Sequence, residues 1–306
     1  MHKAAITSGL ARRLVATQFP RWAHLPVTPV ELDGWDNTTF RLGDHLSVRL
    51  PSAPGYVQQV EKEQRWLPIL ARQLPLPIPE PVAKGRPGCG FPRPWSVYRW
   101  LDGDYATLDR IADLNRFATD LAGFLAALYA VDPTGGPAPG AHSAFRGAPL
   151  ATYDDDARSA ISALEGEIDT AAASQAWESA LAAPWHGPPV WVHGDVTATN
   201  LLVLDGRLAG VLDFGCIAVG DPACDLAIAW TLFHGDSRQA FRDRLAIDDE
   251  TWARGRCWAL WKALITLAQA LRTGSADPDR AAIRFGWRVS PREVIDEVLG
   301  GFEGND

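Results

Sequence analysis

The chain is short of the features that mark several protein classes. Only four cysteines occur in 306 residues, Cys89, Cys216, Cys224 and Cys257, and none forms a CxxC pair. That argues against a disulfide scaffold and a thiolate zinc site, and it fits a reducing cytoplasm. No run approaches the roughly 18 apolar residues that a membrane-spanning helix needs, so no membrane partner is expected. Basic residues are the minority, 29 against 37 acidic, for a formal charge of -8. The molecule as a whole therefore offers no attraction to nucleic acid and favours, weakly, a cationic small molecule. The opening MHKAAITSGLARRLVATQF has no secretory apolar core; Ile6, Leu10 and Leu14 instead recur at helical spacing around Arg12 and Arg13. There is no internal repeat, and biased composition is confined to PTGGPAPG at 133–140.

What is present is an ordinary globular composition, 47% apolar and 22% charged, in a chain long enough for two domains or lobes. Residues 27–50 alternate β-prone runs with turns at Asp33-Gly34, Asp36-Asn37 and Gly43-Asp44, which predicts an antiparallel meander. A helix follows in YVQQVEKEQRWLPILARQL, ended by the prolines of PLPIPEPV. WSVYRWL at 95–101 then reads as a strand that closes an N-terminal unit of residues 1–100. From there to residue 306 helices dominate. Leu114, Phe117, Leu121, Phe124, Leu125 and Leu128 form one stripe, and 157–183 and 222–272 read mainly as helix around a β island at 190–213. The tail GGFEGND is expected to fray.

The chemistry gathers in PPVWVHGDVTATNLLVLDGRLAGVLDFG. Asp205-Gly206 is a strong two-residue hairpin signal between LLVL and RLAGVL. With those residues as the turn, Leu204 pairs with Arg207 and Asn200 falls opposite Val211. Asn200 and Asp213 then share one face at the open end, about 7–8 Å apart. Asp195 lies five residues before Asn200 on the loop leaving VWV. Three oxygen-bearing side chains without histidine or thiol donors suit Mg²⁺, which takes one or two carboxylates together with substrate phosphates. Either HGD or DFG alone would be read as a turn, since Asp and Gly cluster there; together with the hairpin they point to phosphoryl transfer.

VHGDVTATN, VLDFG and GDPACDLA, supported by SVRLP, EKEQRWLPILARQLPLPIPEPV and YRWLDG, give residues 30–270 a resemblance to the aminoglycoside phosphotransferase family. That family is the small-molecule branch of the protein-kinase-like fold. The resemblance implies an α+β, two-lobed protein-kinase-like fold, with an N-terminal antiparallel sheet lobe carrying one helix and a larger, mainly helical C-terminal lobe. It implies ATP or GTP as donor, Mg²⁺ as cofactor and a small-molecule hydroxyl as acceptor. An aminoglycoside-like antibiotic comes first, hence antibiotic resistance. Macrolides, nucleosides, choline or homoserine remain open as acceptors, and a nucleotide-binding pseudokinase-like module is the non-enzymatic alternative.

Residue by residue, the resemblance makes Asp195 the catalytic aspartate, with Asn200 and Asp213 as the Mg²⁺ ligands. His193 and Asp225 become structural supports of the loop, while Asp221, followed by Pro222, reads equally well as a helix cap. The phosphate loop would be DGWDNTTF, without GxGxxG, acting through amides and side chains at Asn37 and Thr38. Arg49 in SVRLP stands where the family's strand lysine would be, with Glu63, or failing that Glu61, as its helix partner; adenine would meet the backbone around Arg99 and Leu101. Thr197-Ala198-Thr199 departs from the more usual His/Ser-Pro-Gly, and a β-branched Thr199 where glycine is common is expected to strain the loop or crowd Mg²⁺. Acceptor-binding candidates are Asp236, Trp230 and Trp261, with His234 and Trp258 near them. Asp154, Asp155 and Asp156 read better as a helix N-terminus, and the tryptophans are mostly core.

Overall fold

The computed structural model describes residues 2–31 and 33–303. The chain divides into two compact units, one formed by the chain up to Asp102 together with Gly210–Cys216, the other by Gly103–Ala209 and the chain from Ile217 onward.

The first unit opens with α1 (Ser8–Gln18), whose start is capped by Thr7 accepting from the Leu10 amide at 3.2 Å. A five-stranded antiparallel sheet follows, built from β1 (Val27–Pro29), β2 (Asn37–Leu42), β3 (Leu46–Pro51), β4 (Pro81–Gly85) and β5 (Trp95–Arg99) in the order β1-β2-β3-β5-β4. Between β3 and β4 runs α2 (Val57–Leu70). The meander, both helices and the strand at 95–99 agree with the sequence pattern. β4 does not, because its proline-rich approach hides a strand that pairs only at the sheet edge, where a proline's missing N–H costs little.

Strand alternation sorts the side chains of this sheet. Phe40, Leu42, Val48, Leu50, Trp95 and Val97 join Ile6, Leu10, Leu14 and Val15 of the α1 segment in one core. The alternate residues Arg49, Ser96 and Tyr98 turn to α2, where Gln64 donates to Ser96 at 2.9 Å and Tyr98 donates to Glu63. A one-residue slip would exchange the two sets, so burial of the apolar face fixes which residues meet α2.

The second unit contains β6 (Asp104–Tyr105), α3 (Leu114–Tyr129), α4 (Asp154–Ala163), α5 (Thr170–Leu181), β7 (Val190–Val192), β8 (Leu201–Leu204), β9 (Arg207–Val211), β10 (Ala218–Gly220), α6 (Ile228–Thr231), α7 (Gly235–Leu245), α8 (Asp249–Arg272) and α9 (Pro291–Glu303). The boundary between units falls inside β9. Short sheets β6-β8-β9 and β10-β7 form the β island; β6 and β10 go beyond the sequence reading, being too short to leave a pattern. Asp205 (φ 51°) and Gly206 (φ 76°) both lie in the left-handed region, as a two-residue hairpin turn requires. α9 also lies beyond that reading. It begins with a reciprocal box in which Ser290 N–H donates to Glu293 and Glu293 N–H to Ser290 Oγ, and it buries Val294, Ile295 and Val298. Helix thus extends to Glu303 in the segment expected to fray, while residues 304–306 fall outside the described part. Among the described residues no helix is long and apolar enough to cross a membrane.

Candidate active site

In the second unit, the loop leaving β7 carries Asp195, and a fully buried carboxylate holds that loop. Asp225 accepts the backbone N–H of His193 at 2.9 Å and of Gly194 at 2.6 Å. Burial pushes the Asp225 carboxyl up, opposed by His193 and these two amides. His193 is itself buried and accepts the Asp195 N–H on Nδ1 at 3.2 Å, so its imidazole orders the loop from within. Asp221, next to Asp225, caps the turn Pro222–Ala227 through the Ala223 N–H.

Asn200 closes a 3₁₀ turn, Ala198–Asn200, and does not extend β8. The Asn200–Val211 pairing expected from the hairpin is therefore corrected: Asn200 N–H returns to Thr197 at 2.9 Å, and Val211 N–H goes to Pro77 at 3.1 Å. Asn200 Nδ2 donates to the Asp195 main-chain carbonyl at 2.9 Å, which fixes the amide flip and turns Oδ1 away from that bond. The two threonines place their hydroxyls 3.2 Å apart. The expected strain at Thr199 is also corrected. No positive φ occurs at 197–199, and Gly286 (φ 69°) makes the room instead, since a Cβ there would come 2.9 Å from Ala198 Cβ and 3.4 Å from Thr199 Cγ2.

Lys262 of α8 was not among the sequence candidates. It is 8% exposed, and its Nζ lies 3.1 Å from Asp195 Oδ1. The Asp195 carboxyl sits below its usual range: burial raises it, but the Lys262 ammonium, then Arg146 and His193, pull it down by more. Arg146 itself lies over Tyr153, Trp258 and Trp261 at 5.5, 5.3 and 4.8 Å from their ring centres. A signal for Lys262 exists in CWALWKALITLA, where one lysine interrupts an apolar helical run and must find a partner or snorkel.

The first unit holds a second cluster. Arg49 reaches Glu63 Oε1 at 3.4 Å with one nitrogen and Asp213 Oδ1 at 3.2 Å with another. Burial opposes its charge, but these two carboxylates raise its proton affinity above that of a free arginine. Glu63 is raised, by burial first, and Tyr98 higher still, by burial and the Glu63 charge. Glu61 instead pairs with Lys84 at the surface. Asp213 adopts φ 58°, and Gly215 beyond it leaves no slack, since a Cβ would meet Gln59 Nε2 at 3.0 Å and Asp213 Oδ1 at 3.2 Å. Gln59 also donates to Asp36 at 2.6 Å, and Lys62 donates to the Gly215 carbonyl at 2.7 Å.

Other candidates are placed differently. Asn37 and Thr38 are buried strand residues of β2, not loop residues. Thr38 pairs with Leu50 and Thr39 with Arg49, so alternation puts Thr38 on the face opposite Arg49 and separates it from the cluster. Arg99 N–H is taken by Glu80 and Trp100 N–H by His45, with Leu101 half-buried just beyond. Trp230 packs with Trp252 and Trp261 with Tyr153 and Trp258; both are at most 4% exposed and serve the core. Asp236 is exposed in the first turn of α7, and Asp154, Asp155 and Asp156 occupy the first turn of α4, positions that helix dipoles favour for carboxylates.

The donor set fits magnesium. In the first unit Asp213 offers a carboxylate about one-third exposed, and in the second Asn200 offers an amide oxygen, each a hard donor of the kind magnesium takes beside phosphates and water.

A model of the family described as "Phosphotransferase enzyme family" matches residues 27–258. An Escherichia coli aminoglycoside 3'-phosphotransferase is 27% identical over 114 residues, which cover 37% of this chain and only about a third (33%) of that relative's length. Among solved structures, the GDP complex of wild-type aminoglycoside 2'-phosphotransferase-IIIa superposes with a TM-score of 0.73 at 18% identity, covering 97% of this chain and 100% of the other. Macrolide 2'-phosphotransferase type I gives 0.61 at 19% identity, over 92% and 97% of the two chains. At these identities the structural likenesses establish the fold.

Proposed function

Because the chain belongs to the phosphotransferase enzyme family, we propose that it transfers the γ-phosphoryl group of ATP or GTP to a hydroxyl of a small molecule, an aminoglycoside-like antibiotic first. Residues 1–100 bind the nucleotide and 101–306 supply catalysis and acceptor binding. One observation carries the reading: a short loop presents an ionised Asp195 and an oriented Asn200 on a frame fixed by Asp225.

Asp195 orients the acceptor hydroxyl and accepts its proton as the oxygen bonds to phosphorus and the bond to the departing nucleoside diphosphate breaks. A low proton affinity suits this role, since in a loose transition state the base engages late and positioning dominates. Arg49, held by Glu63, offers a planar fork of donors to phosphate oxygens. Asn200 and Asp213 would hold Mg²⁺, which when bound neutralises charge on the phosphates. The relatives' names, aminoglycoside phosphotransferases among them, support the acceptor class.

A second acceptor reading is favoured by the charge at Asp195. Lys262 already neutralises that carboxylate and the Arg146 charge acts on it as well, so an acceptor crowded with ammonium groups meets a repulsion that a macrolide, with at most one or so amines, largely avoids. Turnover of kanamycin against a macrolide separates the two. The Asp195→Ala variant tests the common chemistry. Nucleotide affinity by calorimetry is expected to stay within about threefold, while transfer falls by roughly 10²–10⁴; near wild-type turnover would sink the assignment.

A further inference from the structure

α8 lays Arg254, Trp258 and Lys262 on one stripe at four-residue intervals, so the two cations stand about 12 Å apart along the helix. Arg254 is 2% exposed and grips Asp221, with Nε 2.9 Å from Oδ2. One residue on, Gly255 admits no side chain, because a Cβ would meet Leu226 Cβ at 2.5 Å. The helix is thereby seated against the turn Pro222–Ala227, and the same turn carries Asp225, which holds the His193 and Gly194 amides. Both partners of the Lys262–Asp195 contact are thus tied to one short segment.

The two carboxylate oxygens of Asp195 are treated unequally. Oδ1 takes the charge-assisted bond from Lys262 at 3.1 Å, whereas Oδ2 has only a long approach from Asn200 Nδ2 at 3.5 Å, that amide being committed to the Asp195 carbonyl. A carboxylate on a half-buried loop otherwise turns about its last torsion and offers either oxygen.

We propose that Lys262 is a positioning residue for the transfer: its ammonium pins Oδ1 of Asp195, so that Oδ2 alone meets the acceptor hydroxyl. The inference rests on the phosphotransfer reading above. In the step, the acceptor O–H proton passes to Oδ2, the acceptor oxygen forms the new bond to the γ-phosphorus, and the old P–O bond's electron pair leaves with the nucleoside diphosphate. Lys262 touches neither reactant and gives up no proton.

The test uses the full chain with Lys262→Met, Lys262→Arg and Asp195→Asn, alone and combined, after circular dichroism shows each folded. Release of ADP from MgATP and of GDP from MgGTP is measured with water, kanamycin or a macrolide as acceptor. Lys262→Met is expected to lower kcat by roughly 10–100-fold with acceptor KM and nucleotide affinity unchanged, and Lys262→Arg to recover most of it. In the Asp195→Asn background the methionine substitution should cost nothing further. A crystal structure of Lys262→Met should show the Asp195 carboxylate turned. Wild-type kcat in Lys262→Met, an equal loss in both backgrounds, or an unmoved carboxylate overturns the positioning role and leaves the phosphotransfer reading standing. Asp195→Asn at the wild-type rate, or no release in any wild-type arm, overturns that reading instead, and the role of Lys262 in transfer with it.

Discussion

Replacing Arg254 by leucine isolates the cost of a buried charge. Arg254 and Asp221 are 2% and 3% exposed, joined by contacts of 2.9 and 3.4 Å, and the guanidinium also donates to the Ala183 carbonyl at 3.1 Å and to Thr251 Oγ1 at 2.9 Å. Leucine fills much of the volume but leaves the Asp221 carboxylate in the interior with the Ala223 N–H as its remaining bond. Breaking one side of a buried pair costs about 3–5 kcal/mol. For a unit of this size that lowers the unfolding midpoint by roughly 6–20 °C. The pair itself need not stabilise, since both charges were desolvated to form it. Arg254→Leu combined with Asp221→Asn keeps a capping oxygen and removes the stranded charge, and should recover at least about half of the loss. Scanning calorimetry at neutral pH, with tryptophan fluorescence reporting on Trp252, Trp258 and Trp261 of α8, reads both variants. Added salt should change little, because the pair is shielded from ions. A loss under about 2 °C, or a double variant as unstable as the single, refutes the reasoning.

Burial pushes Lys62 down to about 8 from 10.5. Between those values the unfolded chain binds a proton that the folded chain does not, so stability should rise with pH through that window, by roughly 3 kcal/mol in all. Urea melts of wild type and Lys62→Met from pH 7.5 to 10 should diverge accordingly, and parallel curves would count against it. Gly286→Ala places a Cβ 2.9 Å from Ala198 in a left-handed conformation, for an expected loss of about 1–2 kcal/mol. A several-fold fall in kcat should accompany it with nucleotide affinity unchanged; full activity would show that the segment does not support the loop.

Legibility followed the range of the interactions. The hairpin was readable because Asp205-Gly206 states its own backbone requirement locally, and both residues indeed adopt positive φ. The Arg49–Glu63 pair was half-readable: strand alternation and helix spacing orient both residues, but Glu61 competed until the helix face was known. The threonines of the loop follow the same rule. A glycine is missing from the loop of Thr199 itself, whereas the space comes from Gly286, 87 residues later. The turn residues before Asn37 do not say where the strand begins, and Asn37 and Thr38 already pair as strand with Pro51 and Leu50.

By itself the sequence determined the chemistry that lies within a few residues of chain: Asp195 five residues before Asn200, Asp213 beyond a hairpin, and the order of strands before helices. Turn preferences and side-chain periodicity act over such distances, so they can be read without a fold. Tertiary structure alone decided which charges are neutralised. Lys262 meets Asp195 across 67 residues and Arg254 meets Asp221 across 33, and each cation is buried only because it has that partner. Desolvation makes an unpaired buried charge intolerable, but nothing in the chain's local pattern says which partner packing will supply.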